Sequence, residues 1–229
     1  MPDPVQPRPA ASVLLVRDVG ATLEVLIVER PARGVFGGLH VFPGGAVDPV
    51  DHSALARRVV SGPNHDHEFR AAGLRELAEE VGLALTGGGV VAAPDLRGEE
   101  LYASFDRNGS GLQGERLVLI SRWVTPLSSP VRFDTRFYLA VVEETPPIRL
   151  DSDELVGHMW ATPEQALGMY ERGDLALILP TLTHLRWLTR RKDAADVLAS
   201  ADGADGRTLI EPKLMDDGSL VPIHLPADR

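Results

Sequence analysis

The nine residues from Arg75 to Leu83, Arg-Glu-Leu-Ala-Glu-Glu-Val-Gly-Leu, constrain this chain more than any other stretch. On a helix turning about 100° per residue, Glu76, Glu79 and Glu80 share one face, and Leu74, Leu77, Ala78 and Val81 share the opposite one. Carboxylates at that spacing repel by roughly a few tenths of a kcal/mol per pair, and no Lys or Arg stands four residues on to relieve them. Two readings follow. The acids form a solvated helix face, or they hold a divalent cation, and hard oxygen ligands then suit Mg²⁺ or Mn²⁺. Gly82 stands where a left-handed C-cap ends such a helix.

Upstream lies Phe42-Pro43-Gly44-Gly45, where adjacent glycines allow the backbone to approach a ligand closely. Together the two stretches resemble the Nudix box: its Arg-Glu-apolar-x-Glu-Glu-x-Gly-apolar half, preceded by its glycine loop. The resemblance implies a Nudix hydrolase, a metal-dependent enzyme that cleaves a diphosphate linked to another group. It implies an α/β fold, the α/β/α sandwich with a mixed central sheet. By the same resemblance Glu76, Glu79, Glu80 and the Gly44 carbonyl hold Mg²⁺ or Mn²⁺, and Arg75 orients Glu76. Glu76 is the first choice of general base, with a later acid, Glu154, Glu144 or Asp151, in reserve.

The box is split. In the family a glycine is followed after five residues by a glutamate that lies eight residues before the arginine. Here five residues beyond Gly45 lead to Asp51, while the position eight before Arg75 is His67, with Glu68 one step out of register. An insertion of about residues 47–68 therefore separates the halves. Within it, residues 53–60 suit a short helix, and His65-Asp66-His67-Glu68 reads as a loop and helix start rather than a metal cluster.

The chain has 229 residues and 44 % hydrophobic content, enough for one domain over 1–229, with a C-terminal helical extension at about 163–200. Its formal charge of −10 argues against a nucleic-acid groove. It also means that an anionic substrate must meet a local cation. Without cysteine, disulfides, zinc-thiolate sites and thiol nucleophiles are excluded. No apolar run approaches a membrane span and the Pro-rich start lacks a signal core, so a cytoplasmic protein is expected. A homodimer stays open.

In chain order, residues 12–17 and 23–30 suit two strands joined at Gly20, nearly continuous in apolar residues and so covered on both faces. The acidic helix spans about 67–83, and Gly87-Gly88-Gly89 ends that unit. Glu99 to Phe105 suits a short helix. Residues 117–124 and 132–142 suit longer strands, the second alternating Phe133, Thr135, Phe137 and Leu139 with Arg132, Asp134, Arg136 and Tyr138. A strand at about 155–160 precedes a helix capped by Thr162 with Pro163 at its first position. One longer helix is expected from about 180 to 198, and two short strands in the tail.

Several looser motifs, among them residues 132–137, Trp160 to Pro163 and Pro180-Thr181, resemble the Nudix branch that includes peroxisomal coenzyme A and acyl-CoA diphosphatases. That likeness implies a small-molecule nucleotide-diphosphate substrate, with ADP-ribose or NADH as alternatives. Arg132 or Arg136 would then meet a 3′-phosphate, and Phe133 or Phe137 would either stack on a base or pack in the core. A non-catalytic Nudix-fold sensor is the alternative suggested by the displaced glutamate of the split box.

Overall fold

The structure, a computed structural model, describes residues 5–33, 37–201, 206–212 and 225. Strands β1 (Arg8–Val19) and β2 (Thr22–Glu29) form a hairpin, followed by the short strands β3 (His40–Val41) and β4 (Gly44–Ala46). A 3-10 turn (Pro49–His52) leads to helices α1 (Ala54–Val59) and α2 (His67–Val81). A separate hairpin of β5 (Leu83–Thr86) and β6 (Gly89–Ala92) precedes α3 (Gly98–Arg107). Strands β7 (Val118–Val124), β8 (Phe133–Val141) and β9 (Gly157–Ala161) come next. Helices α4 (Pro163–Arg172), α5 (Leu179–Leu188) and α6 (Ala194–Ala201) then precede β10 (Leu209–Ile210).

The main sheet runs β10-β7-β8-β1-β2-β3, with β4 also on β1 and β9 also on β2. Its geometry is set by β1. On one edge β8 lies parallel to it over residues 8–16. The other edge is shared by two antiparallel partners, β4 along residues 10–12 and β2 along residues 16–19. Where β1 and β2 diverge, the segment from β3 to β4 fills the gap, and the Val13 N–H donates to the Pro43 carbonyl at 2.9 Å. The glycine pair is thereby held inside the sheet.

Residues 10–16 of β1 are all buried, because helices cover both faces. Ala11, Val13 and Leu15 pack with Leu74, Leu77, Ala78 and Val81 of α2. Leu14 and Val16 pack on the other side with Leu185 and Leu188 of α5 and Val197 of α6. Each such large apolar side chain contributes roughly 1.5–3 kcal/mol on burial. A mixed sheet between two helical layers is the sandwich expected from the sequence.

Two local expectations change. The single helix from 180 to 198 is two, because the N–H groups of Ala194 and Asp196 turn to carboxylates, of Asp18 at 3.0 Å and of Asp193 at 2.8 Å, instead of continuing the turn. In the glycine run at 87–89, Gly87 and Gly88 form the turn of the β5-β6 hairpin and Gly89 opens β6. Of the two short strands expected in the tail, β10 is present, and the expectation of a second lies outside the described residues.

A buried polar chain fixes α5 to the sheet. The His184 Nδ1 lies 2.7 Å from the Pro180 carbonyl, which has no proton to give, so Nδ1 carries the hydrogen. Nε2 then accepts from the Ser121 hydroxyl at 2.8 Å, and the Ser121 oxygen accepts from the Trp123 N–H at 3.1 Å. Burial pushes the imidazole down to about 4 from its ordinary value near 6.5. The unfolded chain therefore binds the extra proton first as pH falls. Stability is expected to drop between about pH 6.5 and 4 and to level off below, by roughly 2–3 kcal/mol. Denaturant unfolding of the parent and of His184→Gln at pH 7 and pH 4.5 checks this, and a slope no steeper in the parent contradicts it.

Candidate active site

Thirteen of the fifteen residues of α2 are buried, and the burial includes the charged face. Glu76 is 8 % exposed and Glu80 2 %, so the reading of a solvated acidic face does not hold. What covers them is the glycine pair. The Gly44 N–H donates to Glu80 Oε2 at 2.8 Å. At Gly44, with φ at 152°, a Cβ would meet the Ala11 carbonyl oxygen at 2.2 Å. At Gly45 a Cβ would lie 2.5 Å from Glu76 Oε1. Only a backbone without side chains lets the β4 edge rest on the α2 acids.

Arg75 is the organiser of this cluster. Its Nε and Nη2 grip Asp51 at 3.0 and 3.1 Å, its Nη1 donates to Glu76 Oε1 at 2.8 Å and Glu79 Oε2 at 3.1 Å, and Nη2 also reaches the Ala46 carbonyl at 2.9 Å. Burial works against its charge, but Asp51, Glu76 and Glu79 outweigh that and hold the guanidinium well above its ordinary range. The Tyr102 hydroxyl lies 2.7 Å from Asp51 Oδ1, and Asp51 is wholly buried. The arginine's acid is thus Asp51, counted from the glycine, and not Glu68. The extra residues begin after Asp51, and they fold as α1 against α3 with an Arg58–Asp106 ion pair at 2.7 Å.

The acids divide into two sets. Carboxylate oxygens of Glu76, Glu80 and Glu154 lie within 4.8 Å of one another. Glu79 is turned aside, accepting from the Gly98 N–H at 2.7 Å as well as from Arg75. Glu154, the reserve acid from a later loop, joins the cluster while paired with Arg97 at 2.9 Å. Gly44 touches the cluster through its N–H, where the resemblance implied its carbonyl. Burial, with Glu79 and Glu154 adding repulsion against the pull of Arg75, pushes Glu76 up to about 7. Burial and the neighbouring Glu76 hold Glu80 well above the carboxylate range.

A cavity of about 790 Å³ opens from this cluster. At one end are Glu76, Glu79, Glu80 and Glu154 with Arg30 and Arg97; elsewhere Trp123, Phe133, Phe137 and Pro180 give apolar walls. Arg132 and Arg136 do not line it. The strand alternation puts Phe133, Thr135 and Phe137 on the cavity side, so the arginines between them project the other way. Arg132 is buried on the carbonyls of Thr125 and Val5, both at 2.9 Å, and Arg136 pairs with Asp66 and lies 3.5 Å over the Phe69 ring. Besides Arg75, the cations of the cavity are Arg8, Arg30, Arg33 and Arg97, of which Arg8 lies on a strand and the others in loops.

A family model for the NUDIX domain matches residues 6–181. The chain belongs to the Nudix hydrolase family. Among curated relatives, the putative nudix hydrolase 7 of Caenorhabditis elegans is 30 % identical over 195 residues, covering 81 % of this chain. The chain spans 62 % of that relative's length. The acyl-coenzyme A diphosphatase NUDT19 of Homo sapiens is 25 % identical over 86 % of this chain and 72 % of its own. A crystal structure of a NUDIX hydrolase from Alicyclobacillus acidocaldarius superposes with a TM-score of 0.75 at 31 % identity, covering 85 % of this chain and 96 % of the other. No helix among the described residues is long and apolar enough to cross a membrane.

Proposed function

We propose that this chain is a divalent-cation-dependent diphosphatase acting on a nucleoside diphosphate linked to another moiety, with coenzyme A and acyl-CoA as the substrate class. The observation that carries the reading is the triad of Glu76, Glu80 and Glu154, the first two buried and the third half-buried, at one end of an aromatic-walled cavity. Two buried carboxylates, Glu76 and Glu80, beside each other and beside Glu154 are a costly arrangement that Arg75, Arg30 and Arg97 offset only in part. An all-oxygen donor set of this kind fits Mg²⁺ or Mn²⁺. A bound ion of that type neutralises charge on phosphate oxygens and acts as a Lewis acid.

The residues of the chain supply the rest. Glu76, Glu80 and Glu154 hold the cation, and Glu79 with Asp51 locks Arg75 so that Glu76 keeps its orientation. Glu76 takes a proton from the attacking water, whose oxygen bonds to one phosphorus as the bridging P–O bond breaks. Arg30, 3.8 Å from Glu80, and Arg97 stand ready to meet the phosphate oxygens. The curated NUDT19 relatives support coenzyme A over ADP-ribose or NADH as the substrate. The sensor alternative loses its motive, since Asp51 occupies the position of the glutamate that had looked displaced.

The test is turnover of acetyl-CoA, free coenzyme A, ADP-ribose, NADH and a nucleoside triphosphate with and without Mg²⁺, with products identified by mass. Metal-dependent release of 3′,5′-ADP from the coenzyme A compounds is expected. Turnover of another member alone overturns the substrate class. A folded protein that binds a member and cleaves none overturns the enzyme reading in favour of the sensor.

A further inference from the structure

We infer that Arg8 is the residue by which this site recognises a second phosphate, a monoester on the ribose of the nucleotide half of its substrate; the inference rests on the nucleotide diphosphatase reading. The floor of the cavity is a ladder of two parallel strands. Its register pairs Arg8 with Phe133, Ala10 with Thr135 and Ser12 with Phe137, and all six residues line the cavity. Paired residues of a parallel ladder project from the same face, so these are three rungs of one surface.

The Ser12 rung marks the acid end, because Ser12 is also paired with Gly44, whose N–H is bound to Glu80. Four residues away along β1, at about 3.3 Å each, the Arg8 rung lies roughly 13 Å off. A nucleotide whose diphosphate sits at the acids and whose ribose and base follow the ladder passes over Phe137 and Phe133 and comes within reach of the Arg8 guanidinium. The other arginines are committed or placed elsewhere. Arg30 lies 3.8 Å from Glu80, Arg97 is bonded to Glu154 at 2.9 Å, and Arg33 belongs to the loop after β2. Arg8 is exposed, and among the described residues no acid or carbonyl pairs with its side chain. A planar guanidinium with all its donors unspent matches a phosphate monoester better than any other group on this floor.

The experiment is calorimetric titration of the parent, Arg8→Gln and Arg8→Lys with adenosine 3′,5′-bisphosphate and with 5′-AMP. The parent is expected to bind the bisphosphate roughly tenfold to a hundredfold more tightly. That ratio should fall toward one in Arg8→Gln and lie between in Arg8→Lys. A ratio on one protein cancels any loss of folded fraction. Equal affinities in the parent, no binding of either nucleotide, or an unchanged ratio in Arg8→Gln overturns the assignment. Preference for the bisphosphate together with no turnover of any coenzyme A compound strikes the diphosphatase reading and leaves Arg8 standing.

Discussion

Replacing Glu80 by Gln is expected to cut turnover by on the order of 10³-fold or more while leaving the fold at least as stable as the parent without cation. The two halves of that result come from one residue's surroundings. Glu80 is 2 % exposed, and its carboxylate is held above the ordinary range first by burial and then by Glu76. In the cation-free protein its charge is therefore a burden, and a neutral amide of the same shape removes it. The Gln oxygen can still accept the Gly44 N–H that Glu80 accepts at 2.8 Å. What the amide cannot do is supply negative charge to a cation, and losing several kcal/mol of charge stabilisation in the transition state corresponds to about three powers of ten in rate. Steady-state kinetics with a thermal melt in chelator checks both halves. A variant that is inactive because it melts well below the parent contradicts the account.

The second large effect is expected at Asp51, which touches no substrate. Asp51→Ala should cost about 3–5 kcal/mol of stability, the usual consequence of removing one partner of a buried charged network. For a chain of this size that is a fall in melting temperature of roughly 10 °C. Asp51 accepts from Arg75 through both carboxylate oxygens and from Tyr102 at 2.7 Å, with no exposure to water. Its removal leaves Arg75 with Glu76 and Glu79 as its close carboxylates, against the Ala46 carbonyl and a more distant Asp48 at 3.6 Å, so the guanidinium swings toward the helix and takes Glu76 from its position. Activity should fall in Asp51→Ala even at temperatures where the protein stays folded. Unfolding curves and kinetics on the same preparation test this, and a stable, fully active variant refutes it.

The acid string and glycine loop were legible because their chemistry is local: the spacing on one helix, and the absence of a side chain at two positions. The sandwich followed from them by resemblance and from the unbroken apolar run of β1. The partner of Arg75 was visible as Asp51, separated from Gly45 by five residues, yet counting back from Arg75 gave a different answer, since the inserted residues lie between the two counts. Arg132 and Arg136 were misassigned for a different reason. The alternation of β8 was plain in the sequence, but which of its faces borders the cavity is decided by pairing with β1, more than a hundred residues upstream. The break between α5 and α6 is long-range as well, depending on Asp18 reaching Ala194. Glu154 was found only as one of three loop acids, and its selection over Glu144 and Asp151 needed the fold.

The most direct test of the central claim is the binding of Mn²⁺ followed by electron paramagnetic resonance in the parent and in Glu80→Gln, Glu154→Gln and Glu79→Gln. The geometry predicts that the parent binds the ion and that the first two variants each weaken binding by about tenfold or more, with a smaller loss in Glu79→Gln, whose carboxylate is occupied by Arg75 and Gly98. Unchanged affinity in Glu80→Gln and Glu154→Gln, with loss confined to Glu79→Gln, would contradict it.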